Sequence, residues 1–348
     1  MTSRHERPPA RRDGRELLAG LVVPLVTPMR RPGVPSARAA KPLLAALAEA
    51  GARGLMLFGS NGEGPLLPTT ALGAFASGVT RHWRGLTAEP ATGPAGRVPT
   101  RGAGAPHASA SAIRAVPAGG AGPVLINVTA AGTAEALARA EAVLPARPDA
   151  LVLSPPIYFH HREDEILAHY AAFADLGVPV VAYNAPRYSC PLTPALIDAL
   201  ATLDHVVGLK DSSGDVELLA HAVAAARRHP GFGVSQGAEG QLLAGLRLGA
   251  HGIVPGIANL APGPGKDLLG AHHAGRDEDA ERAQRLIDEL TALHRVRSGV
   301  PSVKAILHAR GLCPPHTAAP FTPCTDAERE ALLTLLSPHD PHLLHAAP

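Results

Sequence analysis

The sequence is short of aromatic residues, 3% of 348 positions, and holds three cysteines, Cys190, Cys313 and Cys324. An odd number of cysteines without CxxC spacing argues against both a disulfide framework and a zinc site, and a reducing cytoplasm fits best. Charge of one sign is also lacking. With 32 Lys and Arg against 30 Asp and Glu the formal charge is +2, so there is no general field for nucleic acid or a membrane surface. The 18 His make that charge sensitive to mildly acidic pH. No apolar run is long enough for a signal h-region or a membrane span, and the basic, Pro-rich opening, 1–18, is expected to be a disordered tail. With 36 Gly, 35 Pro and abundant Ala, helix propensity says little, so the organisation is read from local patterns.

Short apolar runs alternate with longer amphipathic ones. The short runs are 21–26, 54–58, 124–128, Ala150–Leu153, 178–183, 206–210, 233–235 and 252–254. Most are rich in β-branched residues and bounded by Gly or Pro, as buried parallel strands are. Helices are expected between them at 39–50, 133–144, 163–176, 194–203, Val216–Arg228 and 240–248, with Thr193-Pro194 supplying an N-cap followed by proline at the first helical position. Eightfold strand–helix alternation is the signature of an α/β (β/α)₈ TIM barrel, here 19–275, with a doubly wound open sheet as the competitor. A C-terminal helical extension, 276–340, follows. It comprises an amphipathic helix 278–297, with Ala283, Leu286, Ile287, Leu290 and Leu293 at helical spacing, a second at 301–310, and a final Asp326–Leu336 opened by a Thr325/Glu328 capping box.

Residues 85–122 break the pattern: this low-complexity stretch has one acidic residue, Glu89, and is expected to be a disordered insertion. Part of it, 97–110, faintly echoes 123–136, so either segment could supply the third strand and its turn. The denser apolar run places the strand in the second.

Three motifs sit at expected strand ends. VVGLKDSSGD, 206–215, puts Lys210 last in a buried strand, where a lysine is costly unless its pKa falls, and a depressed pKa is what imine chemistry needs. On this motif alone, a lysine snorkelling outward or paired with Asp211 explains the position equally well. VPVVAYNAP, 178–186, ends strand five with Tyr183, a phenol able to shuttle protons beside an imine; on its own it would be an ordinary capping aromatic. LFGSNGEGP, 57–65, ends strand two. Its glycines admit a ligand close to the backbone, and Ser60 and Asn61 offer donors to a carboxylate, although a Gly-rich turn is usually only a turn and no GK[ST] follows. In a barrel the three converge on one pocket at the C-terminal ends of the strands.

With these motifs the sequence resembles the dihydrodipicolinate synthase and N-acetylneuraminate lyase family of class I aldolases, from about Leu21 to the final helix, excluding 85–122. The resemblance implies that Lys210 forms an imine with a 2-oxo acid, that Tyr183 relays protons, and that the turn from Gly59 to Glu63 binds the substrate carboxylate. Tyr158, in SPPIYF, matches the second aromatic of the family's PPYY motif and would join the relay, in trans if the chain is a homodimer or homotetramer like its relatives. Within the family, GSNGE, KDSSGD, GVPSVKAIL and GIANLAP are most similar to 4-hydroxy-2-oxoglutarate aldolases. That likeness implies Gly59, Ser60, Asn61, Ser212 and Val254 as substrate-binding residues. The family pattern is broken where Tyr188 takes the place of an arginine that binds a second carboxylate, with Arg187 one position earlier. Cys190, Asn127 and Thr129 replace glycines, and Pro255 stands for a serine.

The expected function is a carbon–carbon lyase that attacks the C2 ketone with Lys210 and splits 4-hydroxy-2-oxoglutarate into pyruvate and glyoxylate, with no cofactor and no metal. The His160-His161 pair is read as solvated rather than ligating. Two alternatives stand beside it: condensation, dehydration or hydration of another 2-oxo acid through the same imine, and a catalytically silent keto-acid-binding homologue.

Overall fold

A computed structural model describes residues 13–88 and 122–346. Eight parallel strands close into a barrel: β1 (Gly20–Pro24), β2 (Gly54–Leu57), β3 (Val124–Asn127), β4 (Ala150–Leu153), β5 (Val180–Asn184), β6 (Val206–Asp211), β7 (Gly233–Gln236) and β8 (Gly252–Ile253). Each pairs with the next, and Gly20 opposite Gly252 closes the ring. This is the (β/α)₈ barrel expected from the sequence, and the open-sheet competitor is excluded. β3 is the segment with the denser apolar run; the competing 97–110 lies outside the described residues.

Because both faces of each strand are covered, its two sets of alternating side chains enter two separate cores. Val22, Met56, Leu125, Val152, Val181 and Val207 fill the barrel interior. Leu21, Val23, Leu55, Leu57, Ile126 and Leu153 pack outward against the helices. Of the expected helices, Val216–Arg228 (α7) and Asp326–Leu336 (α12) have the expected ends, because the Asp215 carboxylate caps the first and the Thr325/Glu328 box opens the second. The expected 163–176 helix is α5 (Glu163–Ala171) followed by a 3₁₀ turn, Ala174–Leu176, and the expected 278–297 helix is α10 (Asp277–Leu290) tightening into Thr291–Arg295. The middle helix of the extension, α11, spans Val300–Ala309. Among the described residues no helix is long and apolar enough to cross a membrane.

Two expected boundaries move. Part of the anticipated tail is a short helix, α1 (Gly14–Leu18), capped by the Asp13 side chain, and its Leu17 and Leu18 belong to the interior core. The helix forms because the barrel's N-terminal mouth needs an apolar plug. Gly14 fits so tightly that a Cβ there would lie 1.6 Å from the Val207 carbonyl oxygen. At the insertion, α3 (Thr69–Thr87) continues through residues expected to be disordered, held by the buried stripe Phe75, Val79 and Trp83. Its end is pinned to Gly122: Trp83 Nε1 donates to the Gly122 carbonyl at 3.1 Å, and Gly122 N–H donates to Thr87 Oγ1 at 2.9 Å.

Candidate active site

The β5–β6 register builds the centre of the site. Val180 pairs with Val206 but Val181 pairs with Gly208, so Val207 is an extra residue in β6. Bulges of this kind re-aim side chains at barrel rims. Beyond it Lys210 stands opposite Tyr183, with Nζ 4.4 Å from the ring centroid and 3.8 Å from Met56 Sδ. Lys210 is buried, and among the described residues no carboxylate reaches its amine. The alternative pairing with Asp211 is excluded by strand alternation. Asp211 faces the other way, accepting from Asn184 Nδ2 at 2.7 Å and Ser213 Oγ at 2.9 Å. Burial raises the Asp211 pKa, and these hydrogen bonds oppose the rise. Gly237, after β7, leaves the lysine its room: a Cβ there would meet Ser212 Oγ at 2.2 Å and Lys210 Cε at 2.8 Å.

The turn after β2 is strained and anchored. Phe58 and Glu63 both have left-handed backbones, φ 58° and 56°. A Cβ on Gly64 would lie 1.9 Å from the Phe58 carbonyl oxygen, which explains the third glycine of the motif. Thr27 Oγ1 donates to the Gly62 carbonyl at 2.6 Å from the end of β1, and buried Arg139, on α4 (Thr133–Val143), donates to the Gly64 and Leu67 carbonyls. Gly62 and Glu63 N–H close internal turns onto Gly59 and Ser60, whereas among the described residues the Ser60 and Asn61 N–H groups have no acceptor. Two adjacent free N–H donors suit an anion. The Asn61 side chain packs against Gly256, in the turn after β8.

These elements enclose a cavity of about 750 Å³ lined by Gly59, Ser60, Asn61, Tyr183, Lys210, Ser212 and Val254, so every expected site residue but one converges there. The exception is Tyr158. It is 85% exposed, with φ 87°, stacks edge-on with Phe159 and does not reach its own chain's cavity, which Ile157 lines instead. The loop turns outward at Tyr158 because its neighbour Ile157 bridges to Ser189.

Further residues line the cavity, of which Glu239, His294 and Ser298 escaped the sequence reading. Glu239, just past β7, accepts from Ile257 N–H at 2.6 Å; burial pushes its pKa up, while that hydrogen bond and the Lys210 charge pull it down. Its place beyond a strand end was the available signal. Asn127 and Thr129 narrow the floor and tie β3 to the end of β4, with Thr129 Oγ1 accepting from Ser154 N–H at 3.0 Å. Arg187, Tyr188, His294 and Ser298 line the mouth, and Cys190 does not. Arg187 is exposed and has no carboxylate partner among the described residues. Glu63, which also lines the cavity, is bound to Lys304 of α11 in a fully buried ion pair.

A lysine amine beside a phenol, with an anion-binding turn in the same cavity, suits imine chemistry on a keto acid. The sequence matches the Dihydrodipicolinate synthetase family over residues 112–339. The chain belongs to that family. Among curated relatives, the 4-hydroxy-tetrahydrodipicolinate synthase of Methanospirillum hungatei is 30% identical over 64% of this chain and 77% of its own. That of Hyphomonas neptunium is 32% identical over 62% and 74%. An uncharacterized DapA-like lyase of Halobacterium salinarum is 32% identical over 62% and 70%. Solved structures share the fold. YagE, an E. coli K12 prophage protein of the dihydrodipicolinic acid synthase family in complex with pyruvate, superposes with a TM-score of 0.77 at 23% identity, over 92% of this chain and 98% of its own. A monomeric dihydrodipicolinate synthase variant gives 0.78 at 18%, over 93% and 98%. Membership of this family makes the chain an enzyme of the class I aldolase type.

Proposed function

We propose that this member of the family is a cytoplasmic Schiff-base aldolase that cleaves 4-hydroxy-2-oxoglutarate to pyruvate and glyoxylate. The carrying observation is a buried Lys210 amine, with no carboxylate bonded to it among the described residues, facing Tyr183 in one cavity with the Ser60 and Asn61 N–H groups, which have no acceptor among those residues. The C1 carboxylate docks on the Ser60–Asn61 turn, with Gly59 leaving the backbone open to it. Neutral Lys210 adds to the C2 ketone, and the carbinolamine loses water to give an iminium. Tyr183, having given its proton to the departing water, takes the C4 hydroxyl proton as the C3–C4 bond breaks. Its electrons pass into the iminium to form an enamine, and glyoxylate departs. Protonation at C3 and addition of water release pyruvate and restore the lysine. Ser212, packed against Gly237 beside the lysine, contacts the substrate near the imine, and Val254 supplies an apolar wall. The substrate's second carboxylate meets Arg187 at the mouth.

The names of the Methanospirillum and Hyphomonas relatives favour a second reading, condensation through the same imine. A panel of 2-oxo acids separates the two. The first predicts pyruvate release that is fastest from 4-hydroxy-2-oxoglutarate. Turnover confined to pyruvate plus an aldehyde acceptor would replace it with the second. The outward Tyr158 and its 63% exposed neighbour Phe159 support a dimer or tetramer in which Tyr158 reaches a neighbouring subunit's site. Light scattering on the eluting protein measures that state.

A further inference from the structure

Every residue of α11 from Val300 to Leu307 is buried, including a lysine in the midst of the apolar run, Lys304. Its Nζ pairs with Glu63 Oε1 with both side chains wholly inaccessible, and also donates to the His316 carbonyl at 2.7 Å. The other Glu63 oxygen accepts from Ala318 N–H at 2.6 Å. One ion pair therefore joins the turn after β2, the central helix of the extension and the segment behind it. Such a pair gains little over well-packed apolar side chains of similar volume, because desolvating two charges offsets their attraction. What it supplies is direction, since both carboxylate oxygens are committed.

That direction bears on the turn. Glu63 is in a left-handed conformation that a residue with a side chain disfavours, and its N–H closes onto the Ser60 carbonyl at 3.3 Å. Fixing Glu63 thus fixes the turn that carries the free Ser60 and Asn61 N–H groups. Thr27 and Arg139 hold the flanking carbonyls from the barrel and α4, and Lys304 holds the turn from the extension. We infer that Lys304 is a positioning residue: through Glu63 it sets the orientation in which the Ser60–Asn61 donors meet the substrate carboxylate. This rests on the imine reading of the site.

The test compares imine trapping by borohydride with pyruvate and with methyl pyruvate, which keeps the ketone but lacks the charge. It uses the full chain, the single variant Lys304→Met, and the double variant Glu63→Gln/Lys304→Met, which removes both buried charges at similar volume. The pyruvate-to-methyl-pyruvate rate ratio is expected to fall about tenfold in both variants while the methyl pyruvate rate stays within about threefold of the unmodified chain. The double variant is expected to regain the stability lost in the single one. A soluble double variant with the original ratio, a parallel loss of both rates, or a double variant that cannot fold would overturn the inference by reducing the pair to a structural element. An unmodified chain that traps no pyruvate would instead remove the imine reading beneath it.

Discussion

Gly237→Ala perturbs the reacting amine without removing any charged or hydrogen-bonding side chain. The backbone tolerates alanine, since Gly237 is outside the left-handed region, so the cost is steric. The new methyl would lie 2.2 Å from Ser212 Oγ and 2.8 Å from Lys210 Cε, against an ordinary contact of about 3.5–4.0 Å. The backbone is slow to yield, because Gly237 N–H donates to the Asp211 carbonyl at 2.6 Å. Ser212 has a rotamer with which to move aside. Lys210 has less freedom, flanked by Tyr183 and Met56, so relaxing that contact to van der Waals distance displaces the lysine by on the order of 1 Å. Overpacking of this size costs about 1–3 kcal/mol of stability. A misplacement of about 1 Å lowers the rate of attack about 10²-fold. The expected outcome is a folded protein with a modestly lower urea midpoint whose borohydride-trapped adduct with pyruvate forms about a hundredfold more slowly. A soluble Gly237→Ala protein that traps pyruvate at the original rate would refute the crowding argument.

Other substitutions test other parts of the account. Tyr183→Phe keeps the ring beside Lys210 but removes the hydroxyl, so pyruvate should still be trapped while turnover falls about 10²–10⁴-fold, and unchanged turnover would exclude the relay. Leu18→Ala opens a cavity in the plug below the barrel and should cost about 2–5 kcal/mol in urea denaturation, whereas a loss below about 1 kcal/mol would mean the plug is dispensable. His169 gives a pH prediction. Burial, then the nearby His161 charge, depress its pKa from the ordinary 6.5 to about 4. The unfolded chain therefore takes up this proton from about pH 6.5 downward while the folded one resists until about 4. The stability associated with neutral His169 is present above that window and lost as pH falls through it, on the order of 3 kcal/mol at most. The urea midpoint of His169→Phe should be flatter than that of the unmodified chain between pH 7 and 4, and parallel curves would contradict the assignment.

The barrel was legible because its signals are local. Runs such as Ala150–Leu153 are long enough to be buried on both faces, and Asp215 or Thr325 caps a helix whatever surrounds it. Lys210, Tyr183, Ser60 and Asn61 could be named because barrel topology brings strand ends together. What was not legible depends on distant partners. The register shift at Val207 that faces Lys210 toward Tyr183 leaves no mark in VVGLK. Five residues of α1 are helical only because the barrel mouth accepts Leu17 and Leu18. Lys304 did leave a trace, a charge inside an apolar helical run, and such a charge calls for a buried partner. The partner, Glu63, lies at the far end of the chain and only the fold brings it there. Tyr158 was placed from its motif, while its direction is set by the Ile157–Ser189 bridge.

The central claim is that the Lys210 amine forms the imine, and intact mass after borohydride reduction in the presence of pyruvate tests it most directly. The account predicts one stoichiometric pyruvate adduct, mapped by peptide digestion to Lys210 and absent from Lys210→Ala. An unmodified chain under conditions that trap other class I aldolases, or an adduct that survives Lys210→Ala, would contradict it.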